Sequence, residues 1–309
     1  MAALKKLSPV FVALVAIALV AGGSAPWWLG AYWLGIFTVA YYFGVFAMSW
    51  DLLFGYAGQV NFGPTFLIGL GAYGAGILNN QGLPLPLCIV CGALIAVAGG
   101  ILLALPALRL QGPYFGIITL VAVLLLLDFI VIFAGVTGGE IGMMVPDVLS
   151  VSVGANYWYA FGFLVISAVI LYTLSRSALG LILQATGQDR IEAEALGFNV
   201  TKHKLAAFSI SALFSGLAGA MLTFYQGTAS VDQMVDLSIA VQIIIAVVFG
   251  GRRTILGGIL GAIFLVLFNE LLRPLGQLNT FVVSGIALLV ILFLPDGVLG
   301  YVLRPRESA

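Results

Sequence analysis

Ten apolar stretches, at 7–22, 29–50, 62–79, 85–105, 113–134, 157–175, 205–224, 237–250, 255–272 and 279–295, run through the 309-residue sequence. A helix that crosses a lipid bilayer needs roughly 20 predominantly apolar residues. Only a helix or a closed barrel satisfies its own backbone there. Charged residues make up 8% of the chain and hydrophobic ones 62%, against about 25% charged in a soluble domain. Such a sequence cannot cover a water-facing surface of this size. The expected fold class is an all-α polytopic membrane protein of about ten (8–10) transmembrane helices. The stretch 237–250 is short, which points to a broken or re-entrant element, tolerated only beside protein or a water-filled cavity.

Charge placement sets the orientation. Lys5 and Lys6 precede the first stretch and place the N-terminus inside by the positive-inside rule. Alternation then puts Arg109, the segment Arg176–Lys204, Arg252-Arg253 and Arg304–Arg306 inside as well, so eleven of twelve basic residues share one side and Arg273 is the exception. The loop Gly135–Asn156 on the other side carries Glu140 and Asp147 and no Lys or Arg. Both termini are therefore expected to be cytoplasmic. Lys5-Lys6, the run to Val20 and the small residues Ala21–Ala25 also resemble a secretory signal. Uncleaved insertion is the reading taken, and cleavage would leave nine spans. Twelve acids balance the twelve bases, which argues against nucleic-acid binding.

No soluble domain interrupts the pattern, so 1–309 reads as one transmembrane domain with a polar loop at about 176–204. None of the lysines (Lys5, Lys6, Lys202, Lys204) follows a glycine, so no G-K-[ST] phosphate loop is present. Energy for any transport comes from a partner or an ion gradient, or flux runs downhill. Cys88-Ile-Val-Cys91 has a metal or redox spacing, but it lies in an apolar stretch without a second pair and reads as core. His203 reads as a solvated loop residue. Asp128, within the fifth stretch, is a functional candidate because intramembrane acids commonly are.

Glycine is the informative residue, with 39 in the chain. Gly112-x-x-x-Gly116 and Gly257-x-x-x-Gly261 allow close helix approach. Gly55-Tyr-Ala-Gly58-Gln59-Val-Asn61-Phe62-Gly63-Pro64 breaks hydrophobic sequence with glycines, a proline and two amides. Such a break either shapes a translocation pathway, with Gly58, Gln59, Asn61, Phe62, Gly63 and Phe66 as candidate lining residues, or is a cytoplasmic turn. A second break, Phe249-Gly250-Gly251-Arg252-Arg253-Thr254, has similar character, and paired interrupted segments point towards a transport site. In the polar loop, Asp189–Leu196 predicts a short helix with acids at its start and Gly197 as its stop. Ala193, Leu196 and Ile191 are expected to face a partner, and Arg190, Glu192 and Glu194 to face solvent.

From about Leu34 to Gly300 the sequence resembles the LivM type of branched-chain amino acid ABC transporter permeases. The resemblance rests on Ser49-Trp-Asp51-Leu-Leu-Phe-Gly55-Tyr-Ala-Gly58-Gln59, Phe62-Gly63, Gly69-Leu-Gly71-Ala-Tyr73 and Thr137-Gly-Gly139. It continues through Glu192-Ala-Glu194-Ala195-Leu196-Gly197, Lys204–Phe208, Ser215–Ala220, Gly250-Gly251 with Thr254, and Pro295-Asp296-Gly297. It implies a permease subunit of a bacterial or archaeal ABC importer in the cytoplasmic (inner) membrane, not itself an enzyme, moving branched-chain or other hydrophobic amino acids. The implied partners are a homologous LivH-type permease, two cytoplasmic ATPases of the LivG and LivF types and an extracytoplasmic substrate-binding protein. ATP-Mg would be held by the ATPases and no cofactor by this chain. The segment Arg190, Glu192, Glu194, Ala195, Leu196, Gly197 matches the family loop that contacts the ATPase. The chain departs from the family at Asn61 and Pro64, where Ser and His are frequent, and at Arg252-Arg253, where a glycine is usual. Fifth spans in the family often carry a Glu and an Arg after Thr-Leu, near where Leu124 and Leu127 stand here. Import of urea, short amides or hydrophobic carboxylates by the same scaffold is the alternative, and a gradient-driven carrier, for which Asp128 is the candidate coupling acid, is a further one.

Overall fold

Apolar runs bounded by Gly, Pro and short polar turns fold as helices close to where their hydropathy places them. The computed structural model describes residues 9–276 except 109, 111 and 112, together with positions 282 and 285. The helices are α1 (Pro9–Ser24), α2 (Ala31–Asp51, extended by a π turn over Leu52–Tyr56), α3 (Pro64–Asn80), α4 (Leu85–Ala107) and α5 (Tyr114–Ile132). After the one-turn α6 (Ala134–Thr137) come α7 (Val153–Arg176), α8 (Ala178–Gln188), α9 (Arg190–Ala195), α10 (Val200–Gln226), α11 (Val231–Met234), α12 (Leu237–Gly250) and α13 (Leu256–Leu272). Among the described residues, six helical segments are long and apolar enough to cross a membrane. The expected spans from 7–22 to 255–272 each coincide with a helix. The stretch 279–295 apart from positions 282 and 285, Lys5-Lys6, Arg109, Gly112, Pro295-Asp296-Gly297 and Arg304–Arg306 lie outside the described residues.

The short stretch 237–250 is α12, and the single turn α11 before it is separated by a break at Val235-Asp236. The Asp236 side chain accepts from the Ser238 N–H at 2.6 Å and so starts α12. The polar segment 176–204 is not an open connector: α8 and α9 fill most of it.

Two helix groups meet on α2 and α10. In one, α3, α4 and α10 pack on each other; in the other, α2 packs on α7, α12 and α13, and α10 also touches α2. Small residues permit these contacts, as expected where apolar lipid supplies no hydrophobic drive between helices. A Cβ on Gly71 of α3 would overlap the Gly216 carbonyl of α10. Gly257 and Gly261 of α13 face the backbone of α12 in the same way, at Gly250 and Ala246. Ser49 of α2 and Ser215 of α10 share a buried 2.7 Å hydrogen bond.

The bundle has two chemically distinct ends. At one, the π turn of α2, the α8–α9 segment, the start of α10 and the α12–α13 break gather Arg176, Arg190, Lys202, Lys204, Arg252 and Arg253. The other end carries a two-stranded ribbon pairing β1 (Met143–Met144) with β2 (Thr228–Ala229). There Asn79 donates to Asp147 at 2.8 Å, and Glu270 bonds both Tyr32 and Arg273. Exposed Trp27, Trp28, Tyr32, Trp158 and Tyr159 lie at the ends of α1, α2 and α7 on this side, Trp27 against Trp158, as aromatic belts mark a membrane–water interface.

Candidate functional site

The two glycine-rich breaks meet at the basic end. Where α2 tightens into its π turn, Asp51 is fully buried, 0% exposed, and its carboxylate reaches across to the second break. One oxygen accepts the Arg253 N–H at 3.0 Å and the other the Ile255 N–H at 2.9 Å. Arg253 returns the contact, its Nε donating to the Gly55 carbonyl at 2.7 Å. The Tyr56 hydroxyl donates to the Arg253 carbonyl at 2.8 Å. Four bonds thus join two segments some 200 residues apart in sequence, as the 197- to 204-residue separations of these pairs record. Both Arg253 (φ 64°) and Ile255 (φ 54°) adopt positive φ without being glycine. Thr254 between them starts α13: its hydroxyl donates to the Gly251 carbonyl at 2.6 Å and accepts from the Gly257 N–H at 3.0 Å.

The first break then turns into α3 through bonds of its own. Gly58 has φ +64°, and the Gln59 N–H bonds back to the Leu53 carbonyl at 3.0 Å. Asn61 is buried: its carbonyl accepts from the Trp50 indole at 2.6 Å, and its side-chain oxygen accepts from the Gly63 N–H at 2.8 Å. Phe62 N–H bonds Thr119 Oγ1 on α5 at 3.0 Å, while Gly63 sits so close to the Thr119 carbonyl that a Cβ would overlap it. Among the candidate lining residues, Asn61 and Gly63 are therefore buried, Gln59 and Phe66 half-buried, and Gly58 and Phe62 exposed.

The polar loop docks on the same place. Gly187, near the end of α8, packs on the backbone of Tyr56–Gly58, and a Cβ on Gly58 would lie 2.9 Å from Gly187 backbone atoms. Neither backbone has room for a side chain. Next, Asp189 caps α9, accepting from the Ile191 and Glu192 N–H groups at 2.7 and 3.1 Å. Arg190 pairs with Glu194 at 2.8 Å, and Gly197 (φ +86°) ends the segment. The expected division of faces needs one correction. Ala193 is only 1% exposed and packs inside the chain, because α9 rests on α8 and α10. Ile191 and Leu196 are exposed, 78% and 73%, beside Glu192, Glu194 and Ala195. The free surface of α9 is thus apolar and acidic together.

Asp128 stands apart from this cluster, exposed on α5 one turn before that helix ends at Ile132, towards the acidic end. An apolar cavity of about 230 Å³ lies near it, between Leu70, Tyr73 and Ile77 of α3, Ile95 of α4 and Phe129 and Ile130 of α5. Cys88 and Cys91 are free thiols inside α4, and no His/Cys/Asp/Glu group able to hold a metal occurs among the described residues. His203 is not a solvated loop residue: it is half-buried in the first turn of α10, with Nδ1 2.7 Å from the Asn199 carbonyl. Asp51 was missed as a candidate from sequence, although an acid within a membrane-spanning run is itself a signal.

A largely helical bundle with membrane-length helices and two backbone breaks joined at a basic end has the paired interrupted segments that point towards a membrane transport site. Residues 32–294 match the family described as branched-chain amino acid transport system, permease component, and the chain belongs to that family. It is 29% identical to the high-affinity branched-chain amino acid transport system permease protein LivM of Salmonella typhimurium, over 85% of this chain and 69% of that one. The probable branched-chain amino acid permease LivM of Methanocaldococcus jannaschii is 23% identical over 78% of this chain and 79% of its own. The autoinducer 2 import permease LsrC of an Enterobacter species is 27% identical over 81% and 74%. No solved structure matches at the same stringency.

Proposed function

We propose that this chain is the membrane-spanning permease subunit of an ABC importer for branched-chain or other hydrophobic amino acids. The family match over 32–294 carries the reading. In this reading the ten spans form one domain in a bacterial or archaeal cytoplasmic membrane, with the basic end and both termini inside. A LivH-type permease pairs with it, LivG- and LivF-type ATPases hydrolyse ATP-Mg on the cytoplasmic side, and an extracytoplasmic binding protein delivers the substrate. The chain itself binds no cofactor and performs no catalysis.

Ile191 and Leu196 form the contact with an ATPase, flanked by Glu192, Glu194 and Ala195, with the Arg190 pair and Gly197 fixing the shape of α9. Ile191 and Leu196, both largely exposed on one short helix and its end, support this role, since apolar surface rimmed by charged residues marks interaction sites. ATP-driven motion of α9 alternates access to a path bordered by Gly58, Gln59, Phe62 and Phe66. Asn61 and Gly63 hold the turn behind it. Asp128, exposed on α5 one turn before that helix ends, borders the outer end of the path. The apolar walls suit a substrate whose side chain is hydrophobic, and exposed backbone at the break suits its charged groups.

Purification of the native complex, followed by ATP hydrolysis with candidate binding proteins, tests the reading. Recovery of two ATPases and a second permease, with hydrolysis stimulated by a leucine-loaded binding protein, is the expected result. The kinship with an autoinducer 2 permease favours a second reading, the same machine with a non-amino-acid cargo such as urea, a short amide or a carboxylate. It predicts the same complex without stimulation by leucine. A complex devoid of ATPases under gentle extraction would replace both with a gradient-driven carrier.

A further inference from the structure

We infer that Asp51 is a positioning residue for coupling: it binds the α12–α13 break to the end of α2, so that movement of α8–α9 reaches α12 and α13 directly. The inference rests on the proposed ABC permease function. It adds a route distinct from the covalent one, in which α9 pulls only on its chain neighbours α8 and α10.

Three independent contacts build the route. Gly187 of α8 meets the backbone of Tyr56–Gly58 with no side chain between them. A contact of backbone on backbone has no rotamers with which to absorb a displacement, and packed interiors transmit strain. From Tyr56 the hydroxyl holds the Arg253 carbonyl, and from Asp51 the carboxylate holds two N–H groups of the second break, one per oxygen. Two N–H groups converge on one carboxylate because the intervening backbone takes positive φ at Arg253 and Ile255, a concavity of the kind that binds anions. The Arg253 guanidinium acts on this carboxylate through space, while its own hydrogen bond goes to the Gly55 carbonyl. A buried carboxylate whose hydrogen bonds run to backbone donors grips the shape of the loop and not a side chain that can swing away. Beyond the break, Gly257 and Gly261 lock α13 to α12. The end of α2, α8, α12 and α13 therefore move as one body.

The test uses the whole complex of permease, second permease, ATPases and binding protein in lipid vesicles, reading leucine uptake and ATP hydrolysis together. Asp51→Asn keeps the size of the side chain but turns one acceptor into a donor facing the break. The complex should assemble and keep its basal ATP hydrolysis, while uptake per ATP falls roughly tenfold, within the range of coupling between linked sites. Tyr56→Phe, which leaves the carboxylate in place, should lower the same ratio by roughly twofold to fivefold. Adding Arg253→Gly to Asp51→Asn separates position from mere shape. Glycine accepts positive φ at position 253 without help, so a carboxylate that served only to hold the turn at that residue would become dispensable. Uptake per ATP that stays low in the double variant supports the route, and full recovery overturns it. Unchanged uptake per ATP in Asp51→Asn overturns it as well. If that variant does not assemble, an unchanged ratio in Tyr56→Phe overturns it and a lowered one supports it. Failure of the wild-type chain to bind ATPases would instead remove the proposed function itself, and would be visible before any variant is made.

Discussion

The break after α2 places its positive φ on a glycine, Gly58, whereas the break between α12 and α13 places positive φ on Arg253 and Ile255 as well as on Gly251. The first segment suits its own dihedrals and ties itself down locally, through Gln59 to Leu53 and Asn61 to Gly63. The second contradicts its residue preferences, since positive φ disfavours side chains by about 1–2 kcal/mol per residue. It persists because Asp51 and Tyr56 hold it from outside. A self-supporting break can serve as a foundation, and a break held by its neighbour follows that neighbour. The difference explains why the rigid segment is the one that carries α8.

Gly58→Val attacks the foundation and should have the largest effect. The new side chain demands an unfavourable φ and meets Gly187 backbone at 2.9 Å, so a loss of at least about 3 kcal/mol is expected. Thermal unfolding in detergent reads the loss, and uptake should vanish with it. A variant that melts like the wild type would show that α8 undocks at little cost.

Ile255→Gly divides the second break into its opposing parts. Deleting a fully buried Ile side chain costs about 2–5 kcal/mol, and freeing the strained φ returns about 1–2 kcal/mol. A net loss of about 1–3 kcal/mol follows. Chemical unfolding that shows no loss would mean that strain at this position equals the packing, so that the break stores more than its hydrogen bonds reveal.

Most of this architecture was legible in the sequence, and the reasons are physical. Span positions followed from the bilayer's demand for apolar length, which leaves little freedom. The short α9 with acids at its start and its Gly197 stop followed from local helix-end chemistry. Both breaks were visible because Gly and Pro in apolar runs are hard to accommodate otherwise. Their meeting was not visible, because a carboxylate bonded to backbone N–H groups leaves no trace in the identity of its partners. Asp51 accordingly passed as one letter of a motif while Asp128, exposed and without a hydrogen bond among the described residues, drew attention. Ala193 was misplaced for a related reason: α8 offered no warning as a helix, so the face of α9 that it covers was assigned to a partner.

Asn61→Ala probes the self-supporting break more gently. It removes the bond to Gly63 and leaves the main-chain bond to Trp50 in place, so a loss of about 1 kcal/mol is expected. Leucine uptake by the assembled importer should keep its KM, because the side-chain oxygen is already engaged within the turn. Gln59→Ala is the contrast, a half-buried amide beside the proposed path whose loss should raise KM. A raised KM in Asn61→Ala alone would exchange the two roles.

The smallest effect belongs to Arg253→Asn, and its sign decides what joins the breaks. Asparagine tolerates left-handed backbone better than arginine, which favours the variant by about 0.5–1 kcal/mol. Against that stands the lost Nε bond to Gly55, about 1 kcal/mol for a side chain open to solvent. The two nearly cancel, and the unfolding midpoint should move by less than about 0.5 kcal/mol equivalent. A loss well beyond that would make the guanidinium, and not the Asp51 carboxylate, the stronger tie between the two segments. A clear gain would show the opposite: the arginine contributes little to the junction, and the backbone donors on Asp51 hold the second break by themselves.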